Sequence, residues 1–414
     1  MIEAISVVGL GKLGLCTAAC LARGGYPVIG VDIRESYVAE LEKGKAPFPE
    51  TGLSELLDEV RGNLCFSTDL GEAIRASHMA FIVVPTASLS DGSFSNEAVL
   101  TVLSGMAPAL KDLKTRFVVN VVSTVMPGSG QDRFIPLIER ETGKKVGKDL
   151  GYAYNPEFVA IGSVISDFLN PDLLLIGESD PETGDALQAV YDRVCEHRPY
   201  AARTGVLNAE IAKLAINCFC TMKISFANQI GALCENLPQA DPRAIMTILG
   251  RDSRIGSKYI RPGLGFGGPC FPRDNQAFIR FAEQVRGYTG LQRAVLEIND
   301  SQVQRVTARI RDAARRNGPR VALLGLAYKP HTPLVECSQA LDVARKLSAD
   351  HPELELAVYD PMARATGDWK VCGSLDECVR DADVVAILTP WPEFQDESWR
   401  RNLSENTVVL RFME

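Results

Sequence analysis

Histidine and tryptophan are scarce in this chain, with four and three residues among 414. His78, His197, His331 and His351 stand apart, and none has a recognisable catalytic setting. Acid–base work is therefore expected of Lys, Asp, Glu or a bound water. No apolar run approaches the roughly 18 residues of a membrane span. An excess of basic charge is also missing: the net charge is −8, which argues against a surface built for nucleic acid. A local cationic pocket for a phosphorylated small molecule stays open. There is no Cys-x-x-Cys and no metal-ligand spacing among the eleven cysteines, so neither a disulfide framework nor a metal site is expected. Cys16/Cys20 and Cys218/Cys220 fall in apolar helical patterns; reduced, buried thiols are expected, with Cys270 the exception. Met1 leads into Ile5-Ser6-Val7-Val8 without a basic or apolar leader, and the chain is expected to be soluble and cytoplasmic. What remains is an ordinary globular composition, 46% hydrophobic and 23% charged, long enough for two or three domains.

The N-terminus reads strand, glycine turn, helix. Ile5–Val8 is followed by Gly9-Leu10-Gly11-Lys12-Leu13-Gly14 and an Ala/Leu/Cys-rich helix to Arg23. A second strand, Val28–Val31, ends on Asp32. Glycines permit the tight turn, the close approach of a pyrophosphate and close helix–strand packing, while the acid takes ribose hydroxyls. Gly9, Gly11, Lys12, Leu13, Gly14 and Asp32 are thus candidate cofactor residues. A carboxylate at Asp32 repels a 2′-phosphate and favours NAD over NADP, although Arg34 lies close. A nucleotide-free α/β domain is the alternative. Strands at 79–84 and 117–122 end in Pro85-Thr86 and Ser123-Thr124, beyond the carboxyl ends of strands where ligands sit in open parallel sheets. Thr86 and Thr124 line a cleft in one reading and cap helices in the other. Further strands are expected around Tyr154 and at 173–177, closed by a helix over 181–196.

From about Asn208 to Glu235 runs a long helix, apolar on most faces, which must be buried on several sides. A linker that also packs against a second copy satisfies this. Lys213 and Asn217 share a face; they mark either a site or a surface stripe. The next feature is Gly263-Leu264-Gly265-Phe266-Gly267-Gly268-Pro269-Cys270-Phe271-Pro272-Arg273-Asp274. Glycine allows close backbone approach and proline stiffens the frame. Such a loop either presents a nucleophilic thiol with a carboxylate four positions on, or makes a tight turn around a buried cysteine. A helical region near 289–317 leads to a second α/β unit with strands near 321–324, 354–360, 384–389 and 408–410. That unit lacks the glycine fingerprint, so a nucleotide held by Lys329 is expected there rather than a dinucleotide. The fold class is α/β, two Rossmann-like parallel-sheet domains joined by a long central helix.

Taken together, Gly9–Gly14 with Asp32, Pro85-Thr86, Ser123-Thr124, Asn155-Pro156-Glu157-Phe158, Lys213 with Asn217, Gly265–Asp274 and Gly325–Pro330 resemble the UDP-glucose/GDP-mannose dehydrogenase family over essentially the whole chain. The resemblance implies an NAD-binding domain (1–200), a central helical dimerisation region with the cysteine loop (201–305) and a C-terminal nucleotide-sugar domain (306–414). It implies a homodimer, a nucleotide-sugar substrate such as a UDP-hexose, and four-electron oxidation of the sugar C6 alcohol to the acid with two NAD molecules. In that scheme Asp274, with a water also held by Thr124, takes the first proton. Cys270 captures the aldehyde as a thiohemiacetal that becomes a thioester. A free thiol, with its pKa of about 8.5, is only slightly ionised at neutral pH. Lys213 lowers that pKa and, with Asn217, stabilises the oxyanion, an effect of roughly 3 kcal/mol per good donor. Glu157, Phe158, Arg254, Lys258, Tyr259, Arg261, Gly267 and Lys329 match substrate-binding positions, Arg254 reaching toward a partner subunit.

Two positions depart from the family pattern. Ile161 replaces the glutamate associated with thioester hydrolysis, and loss of such a base slows a step by about 100- to 10,000-fold; either Glu157 or the Asp274 water covers for it, or acid release is slow. Glu336 stands where an arginine is expected near the diphosphate, which leaves the sugar nucleotide's identity open. An active nucleotide-sugar 6-dehydrogenase leads; the alternatives are a diverged, stalling relative and a non-catalytic sugar-nucleotide-binding protein.

Overall fold

The computed structural model describes residues 2–412. The chain divides into two compact units, Met1–Lys213 and Leu214–Glu414, and the division falls within the helix Val206–Glu235.

The first unit is an eight-stranded sheet in the order β3-β2-β1-β4-β5-β6-β7-β8. Its strands are β1 (Ile5–Val8), β2 (Val28–Val31), β3 (Leu64–Ser67), β4 (Met79–Ile82), β5 (Phe117–Val121), β6 (Leu150–Tyr154), β7 (Leu174–Glu178) and β8 (Ala201–Gly205). Central strands β1, β4, β5 and β6 are buried at every residue, because helices cover both faces, and this is why they read as continuous apolar runs. The order reverses between β1 and β4, so the glycine turn after β1 sits at the switch point where parallel sheets bind ligands. One pairing departs from the parallel expectation: β6 and β7 run antiparallel through Ala153↔Glu178 and Tyr154↔Gly177. The helix Pro181–Val194 does not close the unit. The chain returns as β8, a polar edge strand (Ala-Ala-Arg-Thr-Gly) without the apolar run that would reveal it.

The second unit carries a five-stranded parallel sheet, β11-β10-β9-β12-β13, with β9 (Arg320–Leu324), β10 (Glu355–Tyr359), β11 (Lys370–Val371), β12 (Val384–Ile387) and β13 (Val408–Arg411). It repeats the first in part. Gly325 after β9 has φ +99°, as Gly9 after β1 has φ +95°, and Asp360 follows β10 as Asp32 follows β2. No helix starts at this second turn, however; the next, Gln339–Asp350, begins after a long loop. Asp360 instead accepts five bonds from within the unit: from the N–H groups of Leu326, Ala327, Met362 and Ala363 and from Trp391 Nε1. A carboxylate so occupied fixes the loop that carries Lys329 and has little left for a ribose.

Among the described residues no helix is long and apolar enough to cross a membrane, and no group of three His, Cys, Asp or Glu side chains could hold a metal ion. All eleven cysteines are free thiols. The expectation that only Cys270 escapes burial needs correction, since Cys65 and Cys337 are exposed as well. Both lie in segments with no apolar periodicity, an edge strand and a loop.

Candidate active site

In the first unit the fingerprint residues leave no space where packing matters and open space where a ligand would sit. A Cβ on Gly9 would come 2.4 Å from Val83 O, and one on Gly14 would come 1.9 Å from Gly9 O. A Cβ on Gly11, the N-cap of the helix Lys12–Arg23, would meet nothing within 4 Å. No side chain caps that helix, so its first N–H groups face outward, as a pyrophosphate requires. Lys12 and Leu13, in its first turn, are half-buried. Asp32 ends β2 as expected. Its carboxylate accepts from Leu10 N (3.1 Å) and from Arg34 Nε (2.8 Å) and Nη2 (3.0 Å). Burial works against its ionisation, but the Arg34 bonds and backbone N–H groups outweigh it and hold the carboxyl below its usual range. Arg34 in turn stacks 3.9 Å over the Tyr37 ring. A carboxylate kept ionised beside a bare helix N-terminus fits a dinucleotide with free ribose hydroxyls.

The two threonines cap no helix. Thr86 Oγ1 donates to Thr124 O at 2.6 Å, and Ser123 Oγ donates to Val84 O at 2.6 Å, so the loops after β4 and β5 are stitched together. Glu210 holds the far side of the Thr124 loop, its carboxylate accepting from Gly128 N (2.6 Å) and Gly130 N (2.8 Å). Glu157 and Phe158 meet Lys213. The Lys213 ammonium donates to the Glu157 backbone carbonyl at 2.6 Å and lies 4.4 Å over the Phe158 ring. The Glu157 carboxylate instead accepts from Tyr191 Oη at 3.3 Å. Desolvation pushes its pKa up to about 7, and the Tyr191 bond and the Lys213 charge only partly oppose this. Lys213 is 8% exposed, as is Asn217, so neither belongs to a surface stripe.

In the second unit Asn217 Nδ2 donates to Asp274 Oδ2 at 2.6 Å, and Asp274 is 2% exposed. Cys270 is exposed and is the N-cap of the helix Phe271–Gln284, a position that favours the thiolate. The buried-cysteine reading of this loop is thereby excluded. Asn and Gln side chains satisfy the loop's backbone: Asn228 accepts from Gly263 N (2.7 Å), Gln339 from Gly265 N (2.6 Å) and Asn299 from Phe266 N (2.7 Å). A Cβ on Gly267 would lie 2.1 Å from Cys337 O, and one on Gly268 would enter the Tyr328 ring. Glu336 touches the loop through its carbonyl, which accepts from Gly268 N at 3.1 Å, while its side chain faces solvent. Tyr328 escaped the sequence reading. Burial first, and the Cys270 and Glu336 charges after it, push its hydroxyl up to about 12.

Tyr259 takes a left-handed φ of +64° and sets its ring edge-on to Phe271 at 6.1 Å. Arg254 is exposed and forks onto Asp252 of its own loop. Arg261 lines a cavity that contains none of Gly267, Cys270 and Lys329. Lys329 is half-buried in the turn after β9. The residues therefore group as Asp32 with the fingerprint, Thr86 with Thr124, Glu157 and Phe158 with Lys213, and Asn217 with Asp274. Tyr191 and Glu210 were missed because their partners lie about 34 and 80 residues away, beyond any local spacing signal.

A parallel sheet bearing this fingerprint, joined in one chain to a second Rossmann-like sheet, defines an NAD-dependent oxidoreductase. The chain belongs to the UDP-glucose/GDP-mannose dehydrogenase family. That family's NAD-binding domain matches residues 3–195, its central domain 207–301 and its UDP-binding domain 322–411. A UDP-glucose 6-dehydrogenase of Haloferax volcanii is 34% identical over 398 residues, covering 94% of this chain and 92% of that protein. A GDP-mannose 6-dehydrogenase of Pseudomonas putida is 35% identical over 360 residues, covering 86% and 80%. Among solved structures, a UDP-glucose dehydrogenase from Pyrobaculum islandicum superimposes with a TM-score of 0.88 at 32% identity, covering 100% of this chain and 95% of that one. A UDP-D-ManNAc dehydrogenase from Pyrococcus horikoshii gives 0.82 at 26% identity, with 99% and 95% covered.

Proposed function

We propose that this chain oxidises the C6 alcohol of a UDP-hexose or UDP-N-acetylhexosamine to the carboxylic acid, with Cys270 as covalent nucleophile. The observation that carries the reading is Cys270 itself, exposed at a helix N-terminus four residues ahead of a buried Asp274 fixed by Asn217. NAD supplies the hydride acceptor for each of the two oxidations. Asp274, through a water that Thr124 also holds, takes the hydroxyl proton in the first. The Cys270 thiolate then adds to the aldehyde carbon, and Lys213 and Asn217 donate to the oxygen that gains charge. Loss of the second hydride leaves a thioester. Water attacks its carbonyl, the C–S bond breaks and the thiolate is restored. Glu157, half-ionised near pH 7, is the base for that last step, which covers for Ile161. Arg254, Tyr259, Arg261, Gly267 and Lys329 hold the nucleotide, with Phe158 beside the sugar.

The functional division is 1–200 for NAD, 201–305 for dimerisation and the cysteine loop, and 306–414 for the nucleotide. The homodimer forms through the central helix, where Phe219, Phe226 and Leu233 recur every seven residues and stay 47–59% exposed. The test is NADH release with a panel of UDP- and GDP-sugars, using wild type and Cys270→Ser. Turnover of a UDP-sugar that stops in the variant is expected. Turnover of none, or unchanged turnover in the variant, overturns the proposal. Mass spectrometry of Cys270 after one turnover separates rapid acid release from a stalled acyl-enzyme.

A further inference from the structure

The Asp32 carboxylate has its acceptor capacity in use. Its Oδ1 accepts from Arg34 N (3.1 Å) and Arg34 Nε (2.8 Å), and its Oδ2 from Leu10 N (3.1 Å) and Arg34 Nη2 (3.0 Å). A carboxylate offers about four lone-pair sites, so a ribose diol can bond to Asp32 only where one of these donors leaves. Asp360, which follows β10 as Asp32 follows β2, is held by backbone N–H groups and the buried Trp391 indole, none of which can withdraw. Asp32 differs. Two of its bonds come from a single guanidinium whose side chain is 54% exposed, while its own carboxylate is 8% exposed. The donor free to leave is therefore the Arg34 side chain.

That guanidinium also has a second support. It lies 3.9 Å over the Tyr37 ring, and Tyr37 is pinned by its hydroxyl, which donates to Leu10 O at 2.6 Å. A cation stacked on a fixed ring stays near the turn when its carboxylate bonds are exchanged. An acid at the end of the second strand rejects NADP because its charge meets the 2′-phosphate where the 2′-hydroxyl would bond. Here the acid is paired with Arg34 at 2.8 and 3.0 Å; the pair carries no formal net charge, and that repulsion is cancelled. A guanidinium fork fits phosphate oxygens as it fits a carboxylate. A phosphate monoester carries a charge of about −1.5 to −2 near neutral pH, so it competes well for a fork that now faces a single carboxylate.

We infer that Arg34 sets the coenzyme specificity of this chain and admits NADP beside NAD. With NAD the guanidinium leaves Asp32, whose oxygens then accept from the ribose hydroxyls. With NADP it bonds the 2′-phosphate and screens that group from Asp32. The test is fluorescence titration of the full-length chain with NADH and, separately, with NADPH, using wild type, Arg34→Ala and Arg34→Lys and no sugar nucleotide. In the wild type NADPH is expected to bind within about tenfold of NADH. Arg34→Ala should weaken NADPH at least about tenfold, the loss of one charge-assisted pair, and NADH by less than about threefold. Arg34→Lys should fall between the two on NADPH, since an ammonium keeps the charge without the fork. The NADH affinity that Arg34→Ala retains is its folding control. No binding of NADPH to the wild type at about millimolar concentration overturns the inference, and so does an Arg34→Ala chain whose NADPH affinity falls no further than its NADH affinity. The titration needs neither substrate nor turnover, so it stands or falls separately from the proposed oxidation.

Discussion

Two glutamates of the first unit hold protons that a solvated carboxyl would have lost. Burial pushes both Glu157 and Glu210 up to about 7. For Glu157 the consequence is kinetic: only its ionised form can take a proton from water, so acid release should rise with pH through about 7 and level above it. Glu157→Gln should lower kcat about 100-fold and leave a hexuronyl adduct on Cys270 in the mass spectrum; unchanged kcat without an adduct would remove Glu157 from that role. For Glu210, which is fully buried, the consequence is stability. Its folded pKa lies above the ordinary carboxyl value, so the folded chain binds the proton more tightly than the unfolded one. That stabilisation is complete below about pH 4.5 and is lost as pH rises toward 7, by on the order of 3 kcal/mol. The stability difference between wild type and Glu210→Gln in urea melts should therefore shift against wild type over that window. A difference independent of pH would mean that Glu210 binds its proton equally in the folded and unfolded chain. Cys270 and Asp274 were legible in the sequence because their relation is local, four residues along one loop. Glu210 was not, because only the fold brings it to Gly128 and Gly130.

At the level of elements, the strands that could be read in advance are those buried on both faces, such as β1, β4 and β5. The polar edge strand β8 and the antiparallel turn-back of β7 could not be, since edge position and strand direction leave no trace in hydrophobic periodicity. The cysteine loop shows the same division. Its glycines announced close approach, but not what approaches: Cys337 O at Gly267, the Tyr328 ring at Gly268 and Asn299 Oδ1 at Gly265. Asn299 both accepts from Phe266 N and donates to Phe266 O. Asn299→Ala leaves two buried backbone groups without partners, a loss of about 2–4 kcal/mol. The expected signature is a fall in kcat together with a lower thermal midpoint, while NAD affinity, set in the other unit, is unchanged. A normal kcat in the variant would show that the loop keeps its shape without this clamp. Gly14→Ala should do the reverse. Its Cβ would meet Gly9 O at 1.9 Å, so NAD binding, followed by fluorescence quenching, should weaken by more than about tenfold, because the turn and the helix start cannot both keep their places. Retention of wild-type affinity would dissociate this turn from the cofactor.

For the whole molecule, the long helix Val206–Glu235 buries a run of polar side chains and leaves apolar ones facing solvent. Lys213, Asn217, Thr221, Ser225 and Asn228 are buried, whereas Phe219, Phe226 and Leu233 are 59%, 47% and 56% exposed. Leu214, Cys218, Ala227 and Cys234 are buried beside those polar residues, so the exposed apolar side chains are the departure from the usual helix in water. Seven residues span nearly two turns, so the three side chains form one stripe, and leaving such a stripe wet forfeits roughly 25 cal/mol for each Å² of apolar surface. A second copy laid along the same stripe recovers that energy on both sides at once, because an isologous contact uses the same patch twice. The low net charge per residue does not oppose it. Sedimentation velocity at micromolar concentration should find the wild type as a dimer, and Phe226→Glu, which would bury two like charges near the axis, should sediment as a monomer. A monomeric wild type, or a dimer indifferent to the glutamate, would move the interface off this helix and leave its exposed aromatics in need of another partner.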